Sequence, residues 1–147
     1  MKKKQFETED AIELLREHDF RATPLRVALV LALAESSKPL SVQQLARKTK
    51  KLGVDIATIY RALEAFVVED IVRPLSLTTQ GQSYELVREK NHEHHIVCAF
   101  CNTIESIPFC VRGIEVNAQS KSRLFKNISS HTISFLGTCK KCARAVR

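Results

Sequence analysis

Residues 91–101 read N-H-E-H-H-I-V-C-A-F-C, and the fold of the whole chain turns on how they are interpreted. The stretch holds three of the five histidines and two of the five cysteines. Its alternation predicts a strand, with Ile96, Cys98 and Phe100 on one face and Val97, Ala99 and Cys101 on the other. Cys98 and Cys101 have the C-x-x-C spacing that lets two thiolates share one tetrahedral ion. Near the C-terminus, Cys139 and Cys142 repeat that spacing in G-T-C-K-K-C. Two such pairs match a closed structural zinc site in which every coordination position is sulfur. Two disulfides, or four unrelated buried thiols, are the other readings of these cysteines. The lack of a secretory signal and the doubled C-x-x-C favour zinc. An ion there ties the chain end to the middle strand, and everything before residue 91 has a different character.

Outward from that stretch, composition sets the bounds. At 147 residues the chain suits one domain or two small ones. With 44% hydrophobic and 27% charged residues it reads as an ordinary globular protein, not a disordered one. No apolar run approaches the roughly 20 residues of a membrane span. The opening M-K-K-K-Q-F-E is basic but has no apolar core behind it, unlike a signal peptide. Reduced thiols with zinc point to the cytoplasm. The net charge of +7 favours a polyanionic partner, nucleic acid first. Residues 1–90 carry 15 Lys/Arg against 13 Asp/Glu, however, and residues 91–147 carry 8 against 3. The bulk charge therefore lies away from the helices predicted to touch DNA.

The N-terminal half reads as helices and then a hairpin. Residues 7–19 form an amphipathic helix with acids early, and Ile12, Leu15 and Phe20 share a side. Thr23 followed by Pro24 is a start signal, an N-cap hydroxyl before a residue that needs no N–H. That helix runs through Leu25, Val27, Val30, Leu31 and Leu33 to Ser36, apolar enough for a core element. Ser41 with Gln44 is a capping box for a helix that ends near Gly53. Asp55 caps a fourth, from Ile56 to about Glu69, with Ile59, Leu63, Phe66 and Val67 inward. After Asp70 the period changes to two: residues 71–75, a polar turn, then residues 83–87 predict a two-stranded hairpin. Helices followed by a hairpin are the layout of a winged helix, whose last helix enters the major groove. On the fourth helix Thr58, Arg61 and Ala65 share the face opposite the apolar stripe, flanked by Tyr60. An arginine and a tyrosine there suit phosphate and base edges; a solvated face with one stray aromatic is the bland alternative.

Four motifs occur in order: R-A-T-P-L-R at 21–26, D-I-A-T-I-Y-R-A-L at 55–63, H-E-H-H-I-V-C-A-F-C at 92–101 and H-T-I-S-F-L-G-T-C-K-K-C at 131–142. Together they resemble the ferric uptake regulator family of metal-sensing bacterial repressors, over about residues 7–142. The resemblance implies an α+β fold: an N-terminal winged-helix DNA-binding domain (1–87), a hinge (88–91) and a small α/β dimerisation and metal-binding domain (92–147) carrying the four-cysteine zinc site. It implies a homodimer, metal-controlled binding to double-stranded operator DNA, no membrane, no small-molecule substrate and no catalysis. Arg21 and Arg26 match the family's basic residues beside the DNA backbone. Thr58, Tyr60 and Arg61 match its recognition-helix motif, and Cys98, Cys101, Cys139 and Cys142 its structural zinc ligands.

The resemblance also assigns regulatory metal sites. His92, His94 and His131 match ligands of a site inside the dimerisation domain, with Glu115 in G-I-E-V as its carboxylate. That donor set suits zinc or iron equally; histidines clustered on a surface by chance are the alternative. Glu85 and His95 match ligands of an interdomain sensing site that otherwise departs from the family. Lys38-Pro39-Leu40-Ser41 replaces an expected histidine, Glu93 stands at another, Ser106 occupies the carboxylate position with Glu105 one place early, and Val87 replaces a cysteine common in zinc sensors. What remains, Glu85, Glu93, His95 and Glu105, is oxygen-rich, which favours iron(II) or manganese(II) over zinc. The expectation is a structural Zn2+ and a second divalent ion, Fe2+, Mn2+ or Zn2+, in a regulator of metal homeostasis that senses iron or manganese. A zinc uptake regulator or a peroxide-sensing regulator is the alternative. Cys110, the odd cysteine in P-F-C-V, reads as a small buried apolar residue or else a reactive thiol. A metallohydrolase or redox enzyme built on the His/Glu cluster is the remote reading. The chain has no H-E-x-x-H helix, nucleophile elbow or glycine-rich phosphate loop, and an enzyme leaves Tyr60 and Arg61 without a role.

Overall fold

Three side-chain caps set where helices of the N-terminal half begin. Thr23 accepts from the Arg26 amide at 3.4 Å and starts α2 (Pro24–Glu35). Ser41 and Gln44 close a reciprocal capping box, at 3.3 and 2.8 Å, that starts α3 (Val42–Lys48). Asp55 accepts from the Thr58 amide and hydroxyl, both at 2.8 Å, and starts α4 (Ile56–Val68). Before these, α1 spans Thr8–Glu17, shorter at both ends than the sequence predicts, with a capping box between Glu7 and Asp10. Its fully buried residues are Ala11 and Leu15, one turn apart on one face; Ile12 lies at the margin of that face and is half-buried. α3 also stops earlier than expected, at Lys48. A 3₁₀ turn, Lys50–Leu52, carries the chain on to Gly53, whose φ of +64° ends it in the left-handed region.

The structure is a computed structural model that describes residues 6–78, 81–87, 94–108, 110–111, 113–128 and 131–145. The chain divides into two compact units, Met1–Val87 and Arg88–Arg147; the expected hinge at 88–91 lies outside the described residues. In the first unit β2 (Val72–Thr78) and β3 (Gly81–Leu86) pair antiparallel, Val72 opposite Leu86 and Leu75 opposite Ser83. A two-residue strand that the sequence reading misses, β1 (Leu40–Ser41), joins the other edge of β3 and leads directly into α3. It is too short to show a period. Helices α2 to α4 followed by this hairpin make a winged helix.

Its core is continuous. Leu15, Leu29, Val30, Leu45, Ile59, Leu63, Phe66 and Val72 are all fully buried in it. Phe66 meets Phe20 edge-to-face at 5.4 Å between centroids, and the Arg26 guanidinium lies over the outer Phe20 ring at 4.8 Å. Burying these side chains supplies about 1.5–3 kcal/mol each, enough to hold helices that are too short to persist alone.

Among its described residues the second unit holds a three-stranded sheet of order β5-β4-β6 and two helices. Its central strand β4 (His94–Cys98) pairs antiparallel with β5 (Ile104–Ile107) and parallel with β6 (Ser134–Gly137). α5 (Ile114–Lys121) connects β5 towards β6, and α6 (Lys140–Ala145) follows β6. The predicted strand through Cys101 is corrected here. β4 stops at Cys98, and residues 99–101 turn back, with the Asn102 amide donating to the Cys98 carbonyl at 2.9 Å. Phe100 is accordingly exposed. A continued strand would put positions 98 and 101 roughly 10 Å apart on opposite faces, out of reach of a common ion.

Two outcomes test this fold. Phe66→Ala is expected to cost about 3–5 kcal/mol in urea unfolding, and Val68→Ala, at an exposed position, under about 0.5 kcal/mol. The Thr58 amide, and then its hydroxyl, hold the Asp55 carboxyl below its usual value of 3.8. A carboxyl depressed by folding adds stability that is present above the ordinary value and lost as pH falls through the folded one. Asp55→Ala should therefore lower Tm at neutral pH, and the gap to wild type should close as pH drops below 3.8. A gap that stays constant down to low pH would mean that the capping charge adds nothing.

Candidate metal centres and nucleic-acid-binding helix

The parallel pairing of β4 and β6 brings the two C-x-x-C pairs together. Cys98 stands opposite Gly137, and the Ala99 amide donates to the Gly137 carbonyl at 2.9 Å. Two residues further on, the Cys139 amide donates to Cys98 Sγ at 3.4 Å. Cys139 begins the turn into α6, and the Cys142 amide donates back to Cys139 Sγ at 3.4 Å. Cys101 Sγ lies 3.6 Å from Cys139 Sγ, and all four sulfurs fall within 4.8 Å of one another. A tetrahedral ion with about 2.3 Å bonds to sulfur requires sulfur–sulfur edges of about 3.8 Å, so a zinc-sized dication fits the four sulfurs. The five cysteines are all free thiols, and the two-disulfide reading falls away.

The electrostatics point the same way. Amides of Cys139, Cys101 and Phe100 donating to its sulfur bring the Cys98 thiol down to about 6. The Thr103 hydroxyl, 3.2 Å away, and the Thr103 amide lower Cys101. Cys142 is pushed up to about 12 by hydrogen bonds with Cys101 and Cys139 and by burial. Four thiolates at this spacing need a cation among them to coexist.

A second cluster lies in the same unit. His94 Nε2 is 3.3 Å from His131 Nε2, and the rings tilt past each other at 5.1 Å between centroids. His131 Nδ1 lies 2.6 Å from Glu115 Oε1. Cys110 Sγ is 3.6 Å from His131 Nε2, so His94, Cys110 and His131 present three ligand atoms within 4.8 Å. The reading of Cys110 as a buried apolar residue is corrected: it is half-buried with a polar partner. Its being odd among the cysteines was the one sign of this in the sequence. His92 lies outside the described residues.

The residues matched to a sensing site fall on different elements. His95 is buried, 1% exposed, on the face of β4 opposite His94. It pairs with Ser106, while Glu105 pairs with Ile96. Paired residues share a face, so Glu105 projects from the other side of the sheet and is exposed. The grouping of Glu105 with His95 is corrected by that single place in register. Glu85 is on β3 of the first unit, 4.0 Å from Arg73, and Glu93 lies outside the described residues.

On α4, Tyr60 and Arg61 are exposed and Thr58 is half-buried, its hydroxyl engaged by Asp55. Arg21 is exposed, whereas Arg26 is half-buried, donating to the Arg21 carbonyl at 3.3 Å. Tyr60 and Arg61 are thus among the exposed side chains of this helix, and Arg26 is partly committed to holding the α1–α2 corner.

Residues 17–136 match the ferric uptake regulator family. The ferric uptake regulation protein of Campylobacter upsaliensis is 27% identical, over 88% of this chain and 85% of that one. The peroxide-responsive repressor PerR of Staphylococcus aureus is 29% identical, over 94% of this chain and 93% of that one. Among solved structures, the Helicobacter pylori ferric uptake regulator, which has three functional metal-binding sites, is 25% identical with a TM-score of 0.71 over 96% of this chain and 97% of that one.

Replacing Cys98 or Cys139 with Ser is expected to remove about one metal ion per chain and unfold the second unit, because binding energy at such a site is largely folding energy. Elemental analysis with circular dichroism checks this. A metal-free variant that keeps its fold would defeat it.

Proposed function

The chain belongs to the ferric uptake regulator family, and from that premise we propose that it is a metal-responsive repressor of metal homeostasis genes that binds operator DNA as a homodimer. It is a DNA- and metal-binding transcription regulator and not an enzyme. The observation that carries the DNA reading is the pair Tyr60 and Arg61, exposed on a helix whose start is fixed by the Asp55 cap and whose inner face is locked in the core. A rigid helix presenting an arginine and an aromatic ring can read base edges and backbone together. Arg21 and the free edge of Arg26 add positive charge near the start of α2.

A second copy of the chain is the partner we assign to the C-terminal unit. Among its described residues Leu124 is 90% exposed and Leu136 77%, with Val116 and Phe125 exposed as well. That much apolar surface on a small unit suits burial in a homodimer. Two reading helices related by a twofold axis would then meet two half-sites of an operator. The work is done in the cytoplasm, where DNA and reduced thiols coexist; no helix among the described residues is long and apolar enough to cross a membrane.

For the metals we assign structural Zn2+ to the four cysteines. The sensed ion is iron(II) or manganese(II), since Glu85, Glu93 and His95, the residues matched to sensing, offer more oxygen than nitrogen. Peroxide sensing is the second reading, supported by the similarity to PerR. Whichever ion acts, an effect of metal on DNA affinity requires an equal effect of DNA on metal affinity.

Tyr60→Ala and Arg61→Ala should each weaken operator binding by about 1–3 kcal/mol per half-site at fixed salt, with metal content and dimerisation intact. Unchanged affinity in both variants would mean that another surface reads DNA. His95 and His94 project from opposite faces of β4, so sensing and stability can be separated. His95→Ala is expected to abolish metal-stimulated operator binding and keep the fold, and His131→Ala to lower Tm. The reverse pattern would move sensing to the His94–His131 cluster.

A further inference from the structure

We propose that Cys110 is a metal ligand, so that His94, Cys110 and His131 form a thiolate-bearing site selective for zinc-like ions, with Glu115 acting behind His131 instead of on the metal. The geometry carries it. An ion with tetrahedral bonds of about 2.05 Å to nitrogen and about 2.3 Å to sulfur requires N–N edges of about 3.3 Å and N–S edges of about 3.6 Å. His94 Nε2 and His131 Nε2 are 3.3 Å apart, and Cys110 Sγ is 3.6 Å from His131 Nε2. Two edges of one face of such a tetrahedron are thus matched, the third, from His94 to Cys110, lies within 4.8 Å, and a fourth position is left for a water or another side chain.

Glu115 completes the arrangement from outside. An ionised carboxylate only accepts, so its 2.6 Å contact with His131 Nδ1 places the imidazole proton on Nδ1. Nε2 is left with its lone pair aimed at His94 and Cys110. This is the carboxylate–histidine–metal relay that orients a ligand and raises its basicity. The bland alternative, a metal-free trio of hydrogen bonds, must direct two donors at the single Nε2 lone pair of His131, whereas one ion meets all three atoms.

The consequence is selectivity. Two imidazoles and a thiolate are a borderline-to-soft donor set, matched to Zn2+ or Co2+ and poor for Mn2+. This cluster and the oxygen-rich residues assigned to sensing would thus hold different metals in one chain. The inference rests on the cluster being a metal site, and it does not depend on which ion is sensed.

The test uses the full-length protein with zinc retained in the four-cysteine site, verified at one zinc per chain, and titrates it with Co2+. Wild type should gain tetrahedral cobalt bands in the visible and a sulfur-to-cobalt charge-transfer band in the near ultraviolet, with no zinc released. Cys110→Ser should lose the near-ultraviolet band, and its preference for Zn2+ over Mn2+ in competition should fall. Glu115→Gln, which still accepts from Nδ1, should keep the band and weaken Co2+ by about 10–100-fold. Cobalt bound by wild type without the sulfur band, no cobalt bound at all, or a band that survives Cys110→Ser would each overturn the proposal. Because the decisive spectrum is that of wild type, a variant that folds poorly does not shield it. Operator binding read on the same samples keeps the two readings apart. Metal-stimulated binding without the sulfur band sinks Cys110 alone, and a sulfur band without stimulation by any divalent ion sinks the regulatory reading.

Discussion

The second unit depends on the parallel register between β4 and β6. With Cys98 opposite Gly137, the chain leaves β6 at the right level for Cys139 to reach back to Cys98, and the helical turn that follows brings Cys142 to the same point. Parallel strands need a long connection, and here residues 99–133 supply it, including β5 and α5. Among the described residues of the unit, Val97 and Cys98 are the buried hydrophobic ones, joined by the buried His94 and His95. A core of that size is too small to sustain an independent fold, and an ion held by the four sulfurs would supply what it lacks. The first unit is the opposite case, with a continuous aliphatic and aromatic core.

β4 also explains how one short strand serves separate chemistries. Successive residues face opposite ways, so His94 and Cys98 project from one side and His95 and Val97 from the other. His94 joins the cluster with Cys110 and His131, Cys98 joins the four-sulfur site, and His95 is kept apart from both. The same alternation removes Glu105 from the company of His95, since one place along β5 is a change of face. The proposed His94, Cys110 and His131 site gathers nitrogen and sulfur, a donor set suited to softer ions.

DNA reading draws on a different kind of order. α4 is held at its start by Asp55, along its length by Ile59, Leu63 and Phe66, and at its end by the turn into β2. The backbone that carries Tyr60 and Arg61, the pair proposed to read DNA, therefore needs little ordering on binding. Arg26 shows the complementary economy, its guanidinium spent partly on Phe20 and the Arg21 carbonyl. A residue matched to DNA contact by sequence can be doing structural duty at the same time.

Local chemistry was legible in the amino-acid order. Thr23-Pro24, Ser41 with Gln44, and Asp55 mark helix starts because capping acts within three or four residues, and the sequence records such neighbours directly. The period change after Asp70 marks the hairpin for the same reason, and the two C-x-x-C pairs declare a thiolate site because the spacing itself is the ligand geometry. The two-residue β1 left no period to read, and the halt of β4 at Cys98 was masked by alternation that continues through Cys101. Register was not legible: nothing local tells Glu105 from Ser106 as the partner of His95. Nor was the company of Cys110, whose partners are 16 residues before it and 21 after it in the chain. Strand pairing is a long-range choice made by packing and by the turns at either end, and a single step in it reassigns every side chain to the other face. Tertiary structure alone decided which of the matched ligands share a site.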